Sequence, residues 1–232
     1  KWNYIKYDLK NRAISQGTYV DATYTSRLAM QNYVNSLNYS TTYFEKRGTA
    51  SATGYYSNAV FPTTNTTPLA YSYYDDYDLN KDGSPDYSYQ SQGLSSEETA
   101  TGYTRGMLTA VSKRSIGTGL ADIWLTNVIF YNKNGRVIQT RSNNQLNAAV
   151  SDSRTNVLDF IGRPVQVKTI KVTSATTTIL SSFGYDHASR LKTIDDSYNG
   201  ATAIRIASYE YNELGQLVDK KLHSTNGGTS YI

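Results

Sequence analysis

One run of nine residues carries the most chemistry in this chain of 232: Asp78-Leu79-Asn80-Lys81-Asp82-Gly83-Ser84-Pro85-Asp86. Asp78, Asn80 and Asp82 fall at positions 1, 3 and 5 of a calcium-loop template, Gly83 at position 6 and Asp86 at position 9. Hard cations take oxygen ligands, and alternate side chains of such a loop converge while the glycine makes the sharp turn. Ser84 offers its carbonyl. Calcium is therefore the expected cofactor, with Asp78, Asn80, Asp82, Ser84 and Asp86 as ligands and Asp75 and Asp76 near enough to add charge or complete the shell. The competing reading is an Asx-rich hairpin turn that holds itself without metal. Tyr89 stands where a helix-loop-helix hand would place its bidentate glutamate.

Other reactive groups are sparse. His187 and His223 are the only histidines, and each is expected at the surface of a β-element rather than in a general-base role. Glu97 and Glu98 pair two carboxylates within a polar loop, 93–106, that offers no evident partner acid. Gly117-Thr118-Gly119 is followed by neither of the phosphate-loop signatures. With no cysteine, a disulfide framework, thiolate zinc and a cysteine nucleophile are excluded. No enzyme is expected.

The elements that must position these residues read as strands. The 22 tyrosines, together with abundant threonine, serine and valine, suit a pleated, half-buried surface. The net charge of +4 is the difference between 23 basic and 19 acidic residues spread along the chain, which makes no nucleic-acid stripe. No apolar run approaches the roughly 18 residues of a membrane span. The chain opens on Lys1-Trp2-Asn3-Tyr4 with neither an initiator methionine nor a signal peptide, and reads as a piece of something longer.

A word recurs. Anchored on Arg12, Arg136, Arg163, Arg190 and Gln216, the residue five places earlier is Tyr7, Tyr131, Leu158, Tyr185 or Tyr211. Four places earlier stands Asp8, Asn132, Asp159, Asp186 or Asn212, and one place earlier Asn11, Gly135, Gly162, Ser189 or Gly215. The last four anchors lie 27, 27 and 26 residues apart. An Asp or Asn opening a type I turn accepts a backbone N–H two residues on, and the residue before the anchor takes positive φ at a G1 bulge. Each word is thus a hairpin tip, with turns expected at 8–11, 132–135, 159–162, 186–189 and 212–215. Ser189 fits the positive-φ position least well. Gly200, outside the words, is expected to tolerate a β-branched side chain better than Gly135 or Gly215. An arginine after a turn can lie over the tyrosine of a neighbouring hairpin.

Between Gly17 and Leu120 the pattern changes. Residues 26–37 read as an amphipathic helix capped by Ser26, with Leu28, Val34 and Leu37 inward. Residues 61–68 read as a Thr/Pro connector. The expected organisation is a first hairpin over 1–17, a β-rich segment over 18–120 and a run of four repeats over 121–232.

The words "FYNKNGRVIQT", "YDHASRLKTI" and "YNELGQLVDKKLHS" resemble the YD repeats of RHS-repeat proteins, in the form found in secreted RHS proteins of the Bacteroidota. The likeness covers about residues 124–232 closely and 1–17 as well. "YYDDYD" at 73–78 and "TRGMLTAVSKR" at 104–114 look more loosely like the segment that precedes such a run. What the resemblance implies is an all-β fold of antiparallel hairpins forming part of a spiralling shell. It also implies a secreted or cell-surface protein that encloses or presents a C-terminal toxin or effector domain. Its partners would be further repeats of its own chain, that effector, secretion machinery or glycans. A cell-surface adhesion or carbohydrate-binding module is the alternative, since tyrosine rows also suit sugars.

Overall fold

The computed structural model describes residues 1–39, 42–117, 123–224 and 227–231, whose regular structure is nearly all antiparallel sheet. The expected boundary at 120/121, and Thr118 and Gly119, lie outside these residues. The strands are β1 (Trp2–Tyr7), β2 (Ala13–Tyr19), β3 (Thr66–Tyr74), β4 (Leu108–Arg114), β5 (Trp124–Tyr131), β6 (Val137–Asn144), β7 (Asn147–Leu158), β8 (Pro164–Val172), β9 (Thr176–Tyr185), β10 (Leu191–Tyr198), β11 (Ile204–Tyr211) and β12 (Leu217–Leu222). Neighbours in sequence are neighbours in pairing from β1 to β12. Contacts divide the chain into two units, Lys1–Ser88 with Gly102–Val128, and Tyr89–Thr101 with Ile129–Ile232.

In the first unit the sheet buries Tyr71, Tyr73, Ala110 and Val128 on one side, the last three in register with each other, and Ile14 and Ala70 are buried as well. Alternation along β2 and β3 sends every second residue there. The helix α1 (Arg27–Ser36) begins as the sequence predicts, with the Ser26 hydroxyl accepting the Ala29 N–H. Its inward face differs from expectation. Leu28 is 71% exposed, while Met30 is buried and Tyr33 stacks on Tyr24 and meets the edge of Phe61. That aromatic cluster, remote in sequence, rotates the helix. The 61–68 connector ends early, because Thr66–Pro68 already belong to β3. The second unit buries Phe130, Ile138, Val157, Val167 and Ala207.

The five words sit at turns. In each, the first residue's N–H donates to the anchor's carbonyl and the fourth residue's N–H donates back to the first residue's carbonyl. Asn11, Gly135, Gly162, Ser189 and Gly215 all have positive φ, between 57° and 97°. Ser189 reaches φ 68° despite its Cβ, at a cost of roughly 1–2 kcal/mol. Gly200 also has positive φ: Asn199 at φ 49° and Gly200 at φ 77° form a turn closed by the Ala201 N–H on the Tyr198 carbonyl, at the start of the 199–203 connection between β10 and β11.

Candidate functional site

The acidic run lies in a loop inserted into a sixth copy of the word. Tyr74 pairs with Leu108 across a bulge, just as Tyr185 pairs with Leu191 and Tyr211 with Leu217. Asp75 donates its N–H to the Met107 carbonyl, and Gly106, at φ 87°, donates its N–H to Asp75 Oδ1. Tyr74, Asp75, Gly106 and Met107 therefore hold the tyrosine, Asx, glycine and anchor places, and residues 76–105 replace the two residues of an ordinary tip. With methionine as anchor, Asp75 takes its cation from the preceding word. Arg12 clamps both carboxylate oxygens at 2.8 and 2.9 Å, and Lys10 adds a third donor. Arg12 holds the Asp75 carboxyl well below the usual carboxylate range, against the opposing effect of burial.

Within the inserted loop the expected ligands do come together, as a network closed on itself. Asn80 Oδ1 accepts the Asp82 N–H, which turns its amide nitrogen toward Asp82 (3.2 Å) and Asp86 (2.9 Å). Asp78 Oδ2 accepts the Gly83 N–H, Asp82 Oδ1 the Ser84 N–H, and Asp86 Oδ2 the N–H groups of Leu79 and Asn80. Among the described residues no group of three or more acidic, histidine or cysteine side chains surrounds one point. One observation favours a cation: Asp78 Oδ1 is buried and has no hydrogen-bond partner. The donor set has the hard oxygens calcium takes, and the Asn80 amide stands between two of the carboxylates. Asp76 is engaged elsewhere, paired with Arg47 and Lys81.

A second arrangement recurs at the words themselves. Arg163 lies 4.2 Å above the ring of Tyr185, Arg190 4.5 Å above Tyr211, and Arg12 4.3 Å above Tyr74. In each case the tyrosine belongs to the next word, and its hydroxyl donates to the carbonyl just after that arginine. These bonds are Tyr185 to Pro164 at 2.9 Å, Tyr211 to Leu191 at 2.8 Å and Tyr74 to Ala13 at 3.2 Å. Asp8, Asp159 and Asp186 hold the guanidinium in place through Nε, at 2.7 Å in all three. Burial works to raise the Asp159 and Asp186 carboxyls, but the arginine's N–H and guanidinium outweigh it and hold both low. Ring, hydroxyl and ion pair together form a clasp between successive hairpins.

The word with Leu158 shows the clasp by its substitute. Arg136 has no ring to cover, so it lies across Gly162 and donates to the Phe160 carbonyl at 3.1 Å. The Val137 carbonyl is satisfied by Asn156 instead, at 3.2 Å.

Residues 89–101 of the insertion form a strap within the second unit. Gln139, fully buried, accepts the Gln90 N–H and donates to the Gln90 carbonyl with its side-chain amide, imitating a strand. Lys168 donates to the Gln92 carbonyl and Tyr89 meets Phe130 edge-on. Glu97 and Glu98 are both engaged by hydrogen-bond donors. Glu97 accepts Tyr89 Oη–H, Ser91 Oγ–H and the N–H groups of Gln92 and Leu94, and Glu98 accepts both bonds from the Asn132 amide. His187 and His223 are exposed and hydrogen-bond to no described group through their rings.

No protein-family model matches the chain, and no curated protein matches it either. No described helix is long and apolar enough to cross a membrane. The sequence announced the arginine and tyrosine of the clasp by type. It did not announce the hydroxyl-to-carbonyl bond, whose acceptor is in each case the residue directly after the preceding anchor: Ala13, Pro164 or Leu191.

Proposed function

We propose that the chain is a non-catalytic scaffold segment of a large secreted or cell-surface protein of the RHS YD-repeat kind, its hairpin array enclosing or presenting a C-terminal effector. The observation that carries this reading is the clasp, formed with the same partners at Arg12/Tyr74, Arg163/Tyr185 and Arg190/Tyr211. A contact that recurs with the repeat links neighbours into an array, which is how a quasi-one-dimensional scaffold is stabilised. A ligand site would not need to recur. Limited proteolysis of the whole parent polypeptide tests the proposal. A C-terminal domain that is protected until clasp variants open the array supports it, and equal cleavage with the clasps intact or broken refutes it.

Calcium at Asp78, Asn80, Asp82, Ser84 and Asp86 belongs to the same proposal, as a brace for the inserted loop. Asp78 Oδ1 supports it, and rotation of Asn80 away from Asp82 and Asp86 is its requirement. Glycan binding is the second reading, favoured by an aromatic cavity in the first unit.

A further inference from the structure

The inserted loop and the 3-10 turn at Ser51–Thr53 wall a cavity of about 250 Å³ on the face of β3, β4 and β5 in the first unit. Its floor is aromatic. Tyr71 and Trp124 lie with ring centroids 5.1 Å apart at 30°, with Tyr73 beside them. Gly54 lets the backbone rest on the Tyr71 ring, since a Cβ there would come within 2.6 Å of it. Tyr55 enters the lining at φ 63°, a strained conformation for a bulky side chain. No charged residue lines the space.

Tyr71 and Tyr73 are only 5% and 3% exposed, yet neither hydroxyl hydrogen-bonds to a described group. Buried phenols ordinarily find a partner. Burial pushes the Tyr71 phenol up to about 12 and Tyr73 higher still, so both remain neutral donors across the physiological range. Ser112 and Thr126 add a pair of hydroxyls 2.8 Å apart.

We infer that this cavity binds a neutral pyranose, one hexose residue at the end of a glycan. The proposal rests on the glycan-binding reading and not on the scaffold reading. A pyranose has apolar C–H faces that pack on aromatic rings and a rim of hydroxyls that need uncharged partners. An aliphatic or aromatic guest would leave the two phenols unpaired, and an ionic one would find no counter-charge in the lining itself.

The test uses the whole chain with Trp2→Phe, so that Trp124 is the sole tryptophan. Its emission is titrated with glucose, galactose, mannose and N-acetylglucosamine, with cyclohexanol and phenol as ring controls. One saccharide should give a saturable change in the millimolar range, as about a dozen heavy atoms at ordinary ligand efficiency allow. Tyr71→Phe and Tyr73→Phe remove hydroxyls that bond to no described group, so they should weaken that binding about tenfold without changing the melting temperature. Cyclohexanol or phenol binding as tightly as every sugar overturns the ligand class. A glycan array read with the same variants separates the two levels. Array binding unaffected by both tyrosine variants overturns this cavity while leaving the glycan reading in place, and no saccharide binding in either format overturns both.

Discussion

Tyr185→Phe and Tyr185→Leu dissect the clasp in two steps. The phenylalanine keeps the ring under Arg163 and removes only the 2.9 Å bond to the Pro164 carbonyl, which should cost about 1 kcal/mol. Leucine, the residue that nature places at 158, also removes the ring beneath a guanidinium 4.2 Å away. That adds about 0.5–1 kcal/mol of cation–π attraction and a similar amount of lost packing, for a total of about 2–3 kcal/mol. Hydrogen exchange across β8 to β10 reads the local free energy, and urea unfolding at unchanged slope reads it globally. Arg163→Met alone also frees Asp159 from its ion pair, so the double-mutant cycle with Tyr185→Leu is needed to isolate the stacking. A coupling of about 0.5–1 kcal/mol is expected. The half-exposed Tyr198 makes no clasp and serves as control, its change to phenylalanine staying within about 0.5 kcal/mol. Coupling near zero, or equal costs at Tyr185 and Tyr198, would show that the recurrence is geometric coincidence.

Four further outcomes are expected. Asn132→Asp, allowed by the word, should destabilise the second unit by about 2–4 kcal/mol at neutral pH, because the buried side chain faces both oxygens of Glu98; the penalty should shrink on acidification, and a pH-independent cost would refute the like-charge argument. Gly162→Val should cost more than Gly200→Val in thermal melts: both positions have positive φ, but a Cβ at 162 would lie 2.9 Å from the Arg136 guanidinium and one at 200 meets open space. Glu97, Asp75, Asp159 and Asp186 all have lowered carboxyl pKa values, so their contribution is present above the unfolded value near 4 and is lost as pH falls through the folded values; melting temperature should be flat from about pH 6 to 8 and drop below about pH 4. Calcium should slow hydrogen exchange over 73–90 and leave β9 to β12 unchanged, with Asp82→Ala abolishing the effect, whereas calorimetry without binding heat at millimolar calcium would leave the Asx network as the whole account.

Local chemistry was legible in the sequence and tertiary choice was not. The five tips could be read because an Asx side chain, a turn and a positive-φ residue act within a few bonds of each other. Asn199-Gly200 carries an equally local turn signal outside the longer word. The sixth word was unreadable as one unit, since Asp75 and Gly106 meet only after 30 intervening residues, 76–105, have been looped out. Leu28 was placed inward by helical spacing, and Tyr24 and Phe61 chose Tyr33 instead. The bonds to Glu97 could not be read in full, because two of its four partners are backbone N–H groups, which no residue type announces.

The position of the clasp explains how one word absorbs so long an insertion. Its contacts run from the tyrosine to the preceding arginine and the carbonyl after it, all outside the tip. Opening the tip therefore leaves Tyr74 on Arg12 and Ala13 unchanged in kind. Lengthening the connection from two residues to about 30 adds only about 2–2.5 kcal/mol of loop-closure entropy. Asp75 offsets part of that, tied by two cationic side chains, Arg12 and Lys10, and the Gly106 N–H, where Asp159 or Asp186 has one arginine side chain and two backbone N–H groups. Each part of the loop then has its own anchorage: the acidic run in its Asx network, Leu79 buried in the wall of the aromatic cavity, and 89–101 strapped to Gln139 and Lys168. Hairpin tips are where this architecture can acquire binding chemistry without disturbing the contacts that hold its repeats together.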